Sequence, residues 1–249
     1  MTSLDIPDSL VEAVRTSSRI VALTGSGISA ESGVPTFRDA QTGLWSRFNP
    51  EELATPEAYA RNPRLVWEWY AHRRELVRRA VPNAGHHALV EMERRVPDWI
   101  LVTQNVDGLH QRAGSRKVLE LHGNIHRTQC FENNHPVDQW PETDEVPPRC
   151  PLCGGRLRPA VVWFNENLPE RILDQAYAAA DRSEVFLSVG TSSLVYPAAQ
   201  LPHQAADHGA LLVEINPEPT PLSPRADFSL RGPAGRLLPA LVRAAWPGE

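Results

Sequence analysis

The chain has 249 residues, 41% of them hydrophobic and 22% charged, which suits one large domain with a small insertion. Its 25 basic and 30 acidic residues leave a formal net charge of −5, and this disfavours nucleic-acid binding, which needs concentrated positive charge. The N-terminal residues lack a secretion signal, and no apolar run approaches the roughly 18 residues of a membrane span. The sequence predicts a soluble, cytoplasmic, monomeric protein without nucleic-acid or membrane partners.

Short apolar runs, each closed by glycine or a small polar residue, predict strands that are buried on both faces, as in a parallel sheet. The runs cover residues 20–25, 99–105, 118–123, 160–164, 185–190 and 210–216. Segments with helical spacing precede three of them, at residues 84–95, 169–182 and 196–208. This alternation predicts a doubly wound, Rossmann-like α/β sheet, in which ligands bind beyond the carboxyl ends of the strands.

Two segments depart from this alternation. Residues 41–80 carry helix signals, including Pro63 at a helix start and the periodic stretch Leu65–Val77. Residues 125–158 hold all the cysteines and little apolar periodicity. We expect both insertions to form a smaller helical and zinc-ribbon-like module, whereas residues of about 1–40, 81–124 and 159–249 form the large part of a single domain, 1–249.

The first apolar run leads into a glycine-rich turn. Residues 25–30 (GSGISA) match the pattern G-x-G-x-x-G/A, whose glycines let the backbone approach a pyrophosphate at a helix N-terminus. A plain structural glycine turn is the alternative. The acidic residue expected about 20 positions later on a second strand is missing, which disfavours a hydride-transferring dehydrogenase.

Six motifs in chain order resemble those of the sirtuins, the NAD-dependent protein deacylases. They are GSGISAESGVPTFR from Gly25, TQNVDGLH from Thr103, LHGNIH from Leu121, RPAVVWFNE from Arg158, VGTSSLVYPA from Val189 and EINPE from Glu214. The resemblance extends along almost the whole chain and is strongest to the bacterial class III branch. It implies the family's fold, NAD as cosubstrate and acylated protein lysines as substrates. It also implies nicotinamide and 2′-O-acyl-ADP-ribose as products.

The resemblance assigns roles to individual residues. It implies that His122 is the general base, and the ordinary pKa of histidine suits proton transfer from a ribose hydroxyl. It implies that Gln104, Asn105 and Asp107 hold the nicotinamide carboxamide and ribose, although a strand-end cap or a turn residue would look similar. The other implied NAD contacts are Gly25, Ser26, Gly27, Ile28, Ala30, Pro35, Phe37, Arg38, Gly190, Thr191, Ser192, Asn216, Pro217, Glu218 and Ala234.

A further motif resembles the segment that pairs with the substrate peptide. The implied substrate contacts there are Val162, Trp163 and Phe164. Asn165 replaces the glycine that usually precedes Glu166 in the family. Asparagine tolerates positive φ better than most residues, so we expect activity to survive this replacement.

Tyr70 and Arg73 lie three residues apart in a predicted helix and therefore share a face. The sirtuin branch that removes succinyl, malonyl and glutaryl groups carries Tyr-x-x-Arg at this location, so the resemblance implies a pocket for acidic acyl groups in addition to acetyl. A planar guanidinium binds a carboxylate well. The alternative is an amphipathic surface helix on which Arg73 and Arg74 are solvated.

Cys130, Cys150 and Cys153 lie within one short segment, which indicates a metal or redox site rather than a disulfide framework. C-P-x-C-G-G from Cys150 is a strong zinc-ribbon half-site. Asn133, however, stands where the family has the second cysteine of the first half. Either His135 completes a structural Cys3His zinc site, or another group does, or zinc is lost.

The leading hypothesis is therefore an NAD-dependent protein-lysine deacylase. One alternative within NAD chemistry is a mono-ADP-ribosyltransferase, in which a protein nucleophile captures the ribose carbon. Another is a non-catalytic zinc-ribbon interaction protein that keeps an NAD pocket, but the acidic charge balance disfavours it.

Overall fold

Residues 6–35 and 49–248 are described by the computed structural model. Two of the expected NAD contacts, Phe37 and Arg38, lie outside these ranges. The helices are α1 (Asp8–Thr16), α2 (Gly27–Ala30), α3 (Pro50–Leu53), α4 (Pro56–Arg61), α5 (Pro63–Arg79), α6 (Ala84–Arg95), α7 (Leu109–Ala113), α8 (Glu170–Ala180), α9 (Leu201–Asp207) and α10 (Ala234–Ala245). The strands are β1 (Arg19–Thr24), β2 (Asp98–Thr103), β3 (Val118–Glu120), β4 (Gly123–Cys130), β5 (Leu157–Val161), β6 (Val185–Val189), β7 (Leu211–Ile215) and β8 (Phe228–Leu230).

A six-stranded parallel sheet has the order β3-β2-β1-β6-β7-β8. The last residue of β1, Thr24, lies opposite Thr103 of β2 on one side and Val189 of β6 on the other. From β1, the chain first adds β2 and β3 on one side of the sheet. It later adds β6, β7 and β8 on the other side. The gap between β1 and β6 is thus the switch point, where ligands bind in sheets of this type.

Helices cover both faces of this sheet. Along β1, Ile20 and Ala22 belong to a core shared with α1, α6 and α10. Val21 and Leu23 belong to another core on the opposite face, shared with α8 and α9. Successive side chains of a strand point to opposite faces, so one continuous apolar run supplies both cores. The predicted doubly wound α/β fold is confirmed.

The prediction that residues 160–164 form a strand of the parallel sheet is wrong. This segment overlaps β5, which pairs antiparallel with β4 in a separate two-stranded sheet. Its apolar residues Val161 and Trp163 are buried against α4 and α5 rather than against the helices of the main sheet. The sixth strand of the main sheet is β8, a three-residue edge strand. An apolar run shows that a strand is buried but not which sheet contains it.

The helices follow their sequence signals closely. α6 spans the predicted residues, and α5 begins at Pro63 after Asn62, whose side chain accepts the N–H of Leu65 at 3.1 Å. The predicted helix over 196–208 is shorter, because a 3₁₀ turn (Ala198–Gln200) precedes α9. Pro202, which lacks an N–H group, occupies the first turn of α9, where no donor is needed.

Helices α3, α4 and α5 enclose a second core with the start of β4 and the segment after β5. The cysteine segment has a small core of its own, made of Cys130, Val137, Cys150 and Leu157. These cores form the smaller helical and zinc-ribbon-like module, whereas the exact boundaries between the two parts stay a prediction. Within the ranges that the structure describes, no helix is both long and apolar enough to cross a bilayer.

Candidate active site

At the switch point, the turn after β1 and the end of β6 meet backbone to backbone. Gly25 donates its N–H to the carbonyl of Val189 at 3.0 Å, and Gly27 donates to the carbonyl of Gly190 at 2.8 Å. A Cβ on Gly27 would lie 2.7 Å from that carbonyl oxygen, and a Cβ on Gly190, where φ is +60°, would lie 2.5 Å from the nitrogen of Ile28. Only glycine fits here. Bare backbone therefore borders the ligand-binding edge, as an approaching pyrophosphate requires.

Next to this turn, three buried side chains form a hydrogen-bonded cluster. Asn105 Nδ2 donates to the carbonyl of Gly25 at 3.0 Å and to Ser29 Oγ at 3.2 Å. Ser29 Oγ donates to Asp107 Oδ2 at 2.7 Å, and the other oxygen of Asp107 accepts the N–H of Leu109 at 2.9 Å. Burial raises the pKa of Asp107, while these two hydrogen bonds act against the increase. The network holds the amide and the carboxylate in one orientation.

His122 lies between this edge of the sheet and the start of β4. Its Nδ1 is 2.9 Å from the carbonyl oxygen of Gln104, whose side chain in turn donates to Thr191 Oγ1 at 3.1 Å. A carbonyl oxygen only accepts, so Nδ1 carries the hydrogen and Nε2 keeps its lone pair. Burial lowers the pKa of His122, and the hydrogen bond to Gln104 offsets only part of this effect. The result is an oriented, neutral imidazole with a basic Nε2.

The other expected NAD contacts lie along the same edge of the sheet. Thr191 and Ser192 follow β6, whereas Asn216, Pro217 and Glu218 follow β7. The side chain of Asn216 donates to the carbonyl of Glu218 at 2.7 Å, which closes this turn. Ala234 begins α10, Ser26 and Ala30 lie in the turn and helix after β1, and Pro35 is exposed at the end of a described range. The fold thus brings residues from distant motifs together.

Tyr70 and Arg73 lie on α5, where it packs into the second core. Tyr70 is only 5% exposed, and its Oη accepts the indole N–H of Trp163 at 3.0 Å. Burial raises the pKa of Tyr70 to about 12, whereas it lowers the pKa of Arg73. The guanidinium carbon of Arg73 lies 5.1 Å from the centre of the Trp69 ring. A phenol and a guanidinium are therefore held together in largely apolar surroundings.

The neighbouring arginine is held differently. Arg74 donates through Nε to the carbonyl of Ile125 at 2.8 Å, and its guanidinium carbon lies 5.8 Å from the centre of the Trp67 ring. Both Arg73 and Arg74 are half-buried, which disfavours the alternative of a solvated pair. Because its guanidinium is hydrogen-bonded to the backbone of Ile125, Arg74 links α5 to β4.

The segment after β5 runs between His122 and the helical module. Val162 donates its N–H to the carbonyl of His122, and Phe164 donates to the carbonyl of Ala54, each at 2.9 Å. Phe164 is 40% exposed, but Trp163 is 2% exposed. The indole of Trp163 therefore lies in the core rather than at the surface. Asn165 adopts φ of +68°, the conformation for which asparagine is suited.

The cysteine segment brings four metal-ligating side chains together. The ligand atoms of Cys130, His135, Cys150 and Cys153 all lie within 4.8 Å of one another. The Sγ atoms of Cys130 and Cys153 are 3.4 Å apart, and Cys150 Sγ is 3.9 Å from His135 Nδ1. Ligands around tetrahedral zinc at a Zn–S distance of about 2.3 Å are separated by about 3.8 Å. Three thiols and one imidazole are thus a donor set of the right size and chemistry for zinc.

Two further side chains position the site but are absent from the predicted residues. Ser29 joins Asn105 to Asp107, and its only sequence signal is that it is one of two serines inside the motif at 25–30. Asn83 Nδ2 donates to the carbonyl of Ile28 at 2.7 Å, and it is an N-cap signal just before the predicted helix 84–95. Both signals are local in the sequence. The hydrogen bonds by which these two side chains position the site, however, join distant parts of the chain.

The fold and this site define a dinucleotide-binding α/β protein with an inserted, thiol-rich module. The Sir2 family model matches residues 25–197, and the chain belongs to the Sir2 family. The resemblance to the sirtuins is thereby confirmed.

The relatives include an NAD-dependent protein deacylase of Aquifex aeolicus, 55% identical over 213 residues, which are 85% of this chain and 89% of that protein. Among solved structures, a Sir2 homologue in complex with NAD has a TM-score of 0.90 and 46% identity, covering 98% of this chain and 96% of that one. A Sir2 homologue variant in complex with 2′-O-acetyl ADP ribose has a TM-score of 0.89 and 48% identity, with 96% of each chain covered.

Proposed function

We propose that this chain is an NAD-dependent protein-lysine deacylase, which transfers the acyl group of a modified lysine to ADP-ribose and releases nicotinamide. The observation that carries the proposal is that His122 is hydrogen-bonded to the carbonyl of Gln104, next in the chain to Asn105. Asn105 in turn is hydrogen-bonded to the glycine turn and belongs to the buried Asn105–Ser29–Asp107 cluster. The names of the relatives, NAD-dependent protein deacylase, support the same activity.

The residues of the site fit NAD. Gly27 and Gly190 pack backbone against backbone, since any Cβ there would clash, so main chain rather than side chains borders the edge at which a pyrophosphate would bind. The Oδ1 atom of Asn105 is left to accept from a carboxamide, because its Nδ2 already donates to Gly25 and Ser29. When bound, NAD supplies the ribose carbon whose bond to nicotinamide is broken and to which the acyl oxygen is joined.

His122 then acts as the general base. Its Nε2 accepts a proton from a ribose hydroxyl, and the hydrogen bond from Nδ1 to the Gln104 carbonyl maintains the tautomer that makes this possible. The buried carboxylate of Asp107, held in the cluster with Ser29 and Asn105, favours positive charge near the ribose carbon. Burial of the cluster excludes water that would hydrolyse NAD instead of transferring the acyl group.

The decisive experiment measures nicotinamide release with and without an acylated lysine peptide. Release that requires the acyl group and yields acyl-ADP-ribose and free lysine supports a deacylase. ADP-ribose attached to protein, with no need for an acyl group, would instead indicate a mono-ADP-ribosyltransferase. NAD binding without release of nicotinamide would indicate a non-catalytic protein.

For the acyl group, we propose that the pocket takes succinyl and malonyl as well as acetyl. The support is the phenol of Tyr70 and the guanidinium of Arg73, which are held together on one helix face in apolar surroundings where a carboxylate would otherwise lack partners. The double substitution Tyr70→Phe with Arg73→Met is expected to lower the succinyl-to-acetyl ratio of kcat/KM by about 100-fold or more, because charge-assisted hydrogen bonds are lost. Equal losses of both activities would contradict this specificity.

We further propose that Cys130, His135, Cys150 and Cys153 hold a structural zinc ion. All four protein ligands are supplied by one compact segment, so the site is closed and zinc would stabilise the module rather than take part in catalysis.

A further inference from the structure

Trp163 is the feature that the proposed reaction leaves unexplained. Its indole is almost fully buried, yet its Nε1–H donates to the hydroxyl of Tyr70 at 3.0 Å. Indole N–H is only a donor, so the Tyr70 oxygen has to accept. The phenolic hydrogen is then left to be donated elsewhere.

The position of Trp163 is fixed on both its backbone and its ring. Its backbone N–H donates to Glu166 Oε2 at 2.8 Å, and the same carboxylate binds Arg158, whose Nη2 donates at 2.9 Å. The guanidinium carbon of Arg158 lies 3.3 Å from the centre of the indole ring. Arg158 also donates to the carbonyl of Val161 at 2.7 Å. The buried guanidinium of Arg158, paired with the half-buried carboxylate of Glu166, thus clamps the indole from one face.

Asn165 makes this clamp possible. With φ of +68° at Asn165, the chain turns back so that the N–H of Glu166 donates to the carbonyl of Trp163 at 3.1 Å. The turn brings the Glu166 carboxylate beneath the strand end, within reach of both the Trp163 N–H and Arg158. The clamp is therefore encoded within one short stretch, residues 158–166.

We propose that Trp163 is a positioning residue for acyl-group specificity: its indole N–H occupies the acceptor side of Tyr70 and directs the phenolic O–H towards the carboxylate of an acidic acyl group. This inference rests on the proposed specificity for acidic acyl groups. A hydroxyl that accepts one hydrogen bond also donates a stronger one, since successive hydrogen bonds polarise each other. Burial raises the pKa of Tyr70 to about 12, so the hydroxyl keeps its proton at neutral pH and remains a donor.

The test compares succinyl-lysine and butyryl-lysine peptides, which have acyl chains of equal length but differ in the terminal carboxylate. In Trp163→Phe, the succinyl-to-butyryl ratio of kcat/KM is expected to fall roughly 3- to 10-fold, the value of one hydrogen bond. The change is expected in KM for the succinyl peptide, because the carboxylate takes no part in bond breaking. A merely structural role would lower the values for both peptides by the same factor.

Trp99→Phe is the matched control. Trp99 is also fully buried, and within the described part of the chain its indole N–H has no hydrogen-bond partner. It lies in the core on one face of the main sheet, away from α5. The control variant removes the same atoms from a different hydrophobic core. Its succinyl-to-butyryl ratio of kcat/KM is expected to stay at the wild-type value.

A double-mutant cycle isolates the contact itself. In a Tyr70→Phe background, Trp163→Phe is expected to leave the ratio unchanged, because the hydroxyl through which it acts has gone. If Trp163→Phe does not fold, replacement of Trp163 by benzothienylalanine removes the N–H while it keeps the shape of the ring, and the same ratio is measured.

An unchanged ratio in these Trp163 variants would overturn the inference and leave the specificity proposal intact, provided that Tyr70→Phe with Arg73→Met still lowers the succinyl rate. A wild-type enzyme that does not cleave succinyl-lysine at all would overturn both. A lowered ratio that persists in the Tyr70→Phe background would assign the effect of Trp163 to another contact and would also overturn the inference.

Discussion

His122 has both an oriented tautomer and a lowered pKa, and together they determine how activity depends on pH. Burial lowers the pKa of its imidazole below the ordinary value, so the side chain is already neutral at neutral pH. The acidic limb of the kcat/KM profile is therefore expected below pH 6.5, with a plateau at and above neutrality.

Substitution His122→Ala is expected to lower deacylation by about 100- to 10,000-fold and to abolish that acidic limb, because no other base is held at this position. Binding of NAD, measured by calorimetry, is expected to persist, since the glycine turn and the Asn105 cluster do not depend on the imidazole. An unchanged rate of peptide turnover in this variant would contradict the mechanism. His87→Gln, at an exposed position, serves as the control.

His135 determines whether the thiol-rich segment is a complete zinc site. We expect one zinc ion per chain in the purified protein and its loss, or a large drop in affinity, in His135→Ala, as measured by metal analysis and chelator competition. Asn133 Nδ2 donates to Cys153 Sγ at 3.3 Å, so position 133 faces the cluster. Adding Asn133→Cys to the His135→Ala variant is expected to restore binding with a fourth thiolate. Full zinc retention in His135→Ala alone would show that histidine is not a ligand.

At the scale of elements, the packing of β6 against the turn after β1 is the contact that shapes the proposed nucleotide site. Gly190→Ala adds a Cβ that meets the backbone of Ile28, in a left-handed conformation that alanine disfavours. We expect a loss of at least about 2 kcal/mol in the free energy of unfolding, together with weakened NAD binding.

Gly209→Ala provides a control at the opposite end of the sheet. Gly209 also has positive φ, of +89°, but a Cβ there would have no atom within 4 Å. Gly209→Ala is expected to lower the free energy of unfolding by about 1 kcal/mol through backbone strain alone and to leave NAD binding unchanged. Both effects are measured by urea unfolding and by calorimetry. Equal behaviour of the two variants would show that backbone conformation, rather than close approach, explains the glycine at position 190.

The elements differ in how far the sequence predicts them. β1, β6 and β7 have continuous apolar runs because helices cover both of their faces. β8 has the sequence Phe-Ser-Leu, in which an exposed serine separates the two apolar residues, so it produces no such run. The partner strand of β5 could not be predicted, because its pairing with β4 depends on a fold of the whole cysteine segment. The motif residues of the site were predictable from the resemblance, but the Arg158–Glu166 clamp depends on the turn at Asn165, which neither helical nor strand periodicity indicates.

For the molecule as a whole, His122 lies where the two main parts of the structure meet. It follows β3 of the parallel sheet and directly precedes β4 of the second sheet. Its carbonyl accepts the N–H of Val162, beside the core that holds Tyr70 and Arg73. The glycine turn that we propose holds NAD thus belongs to the sheet, whereas Tyr70 and Arg73 of the proposed acyl pocket lie in the second core. We infer that a mutation within either core lowers the rate of deacylation, because it displaces the NAD-binding turn and the acyl pocket relative to each other.

Two buried histidines with strongly lowered pKa values contribute to the way in which the stability of the whole molecule responds to acid. The rings of His86 and His110 lie 4.9 Å apart, and His110 Nε2 is 2.9 Å from Thr24 Oγ1. Burial lowers the pKa of His86 to about 4 and that of His110 to about 3. In an unfolded chain, histidine takes up a proton below about pH 6.5.

Between pH 6.5 and about 4, the unfolded state therefore binds more protons, and the free energy of unfolding falls as the pH falls. Two such groups give a slope of up to about 2.7 kcal/mol per pH unit, while the raised pKa of Asp107 acts in the opposite direction near the acid end. Urea unfolding at about pH 7.5 and about pH 5 measures the loss. We expect His110→Asn to reduce this pH dependence, and His203→Gln, on α9 at the opposite face of the main sheet, to leave it unchanged. A wild-type protein equally stable at both pH values would show that the pair is not held neutral by burial.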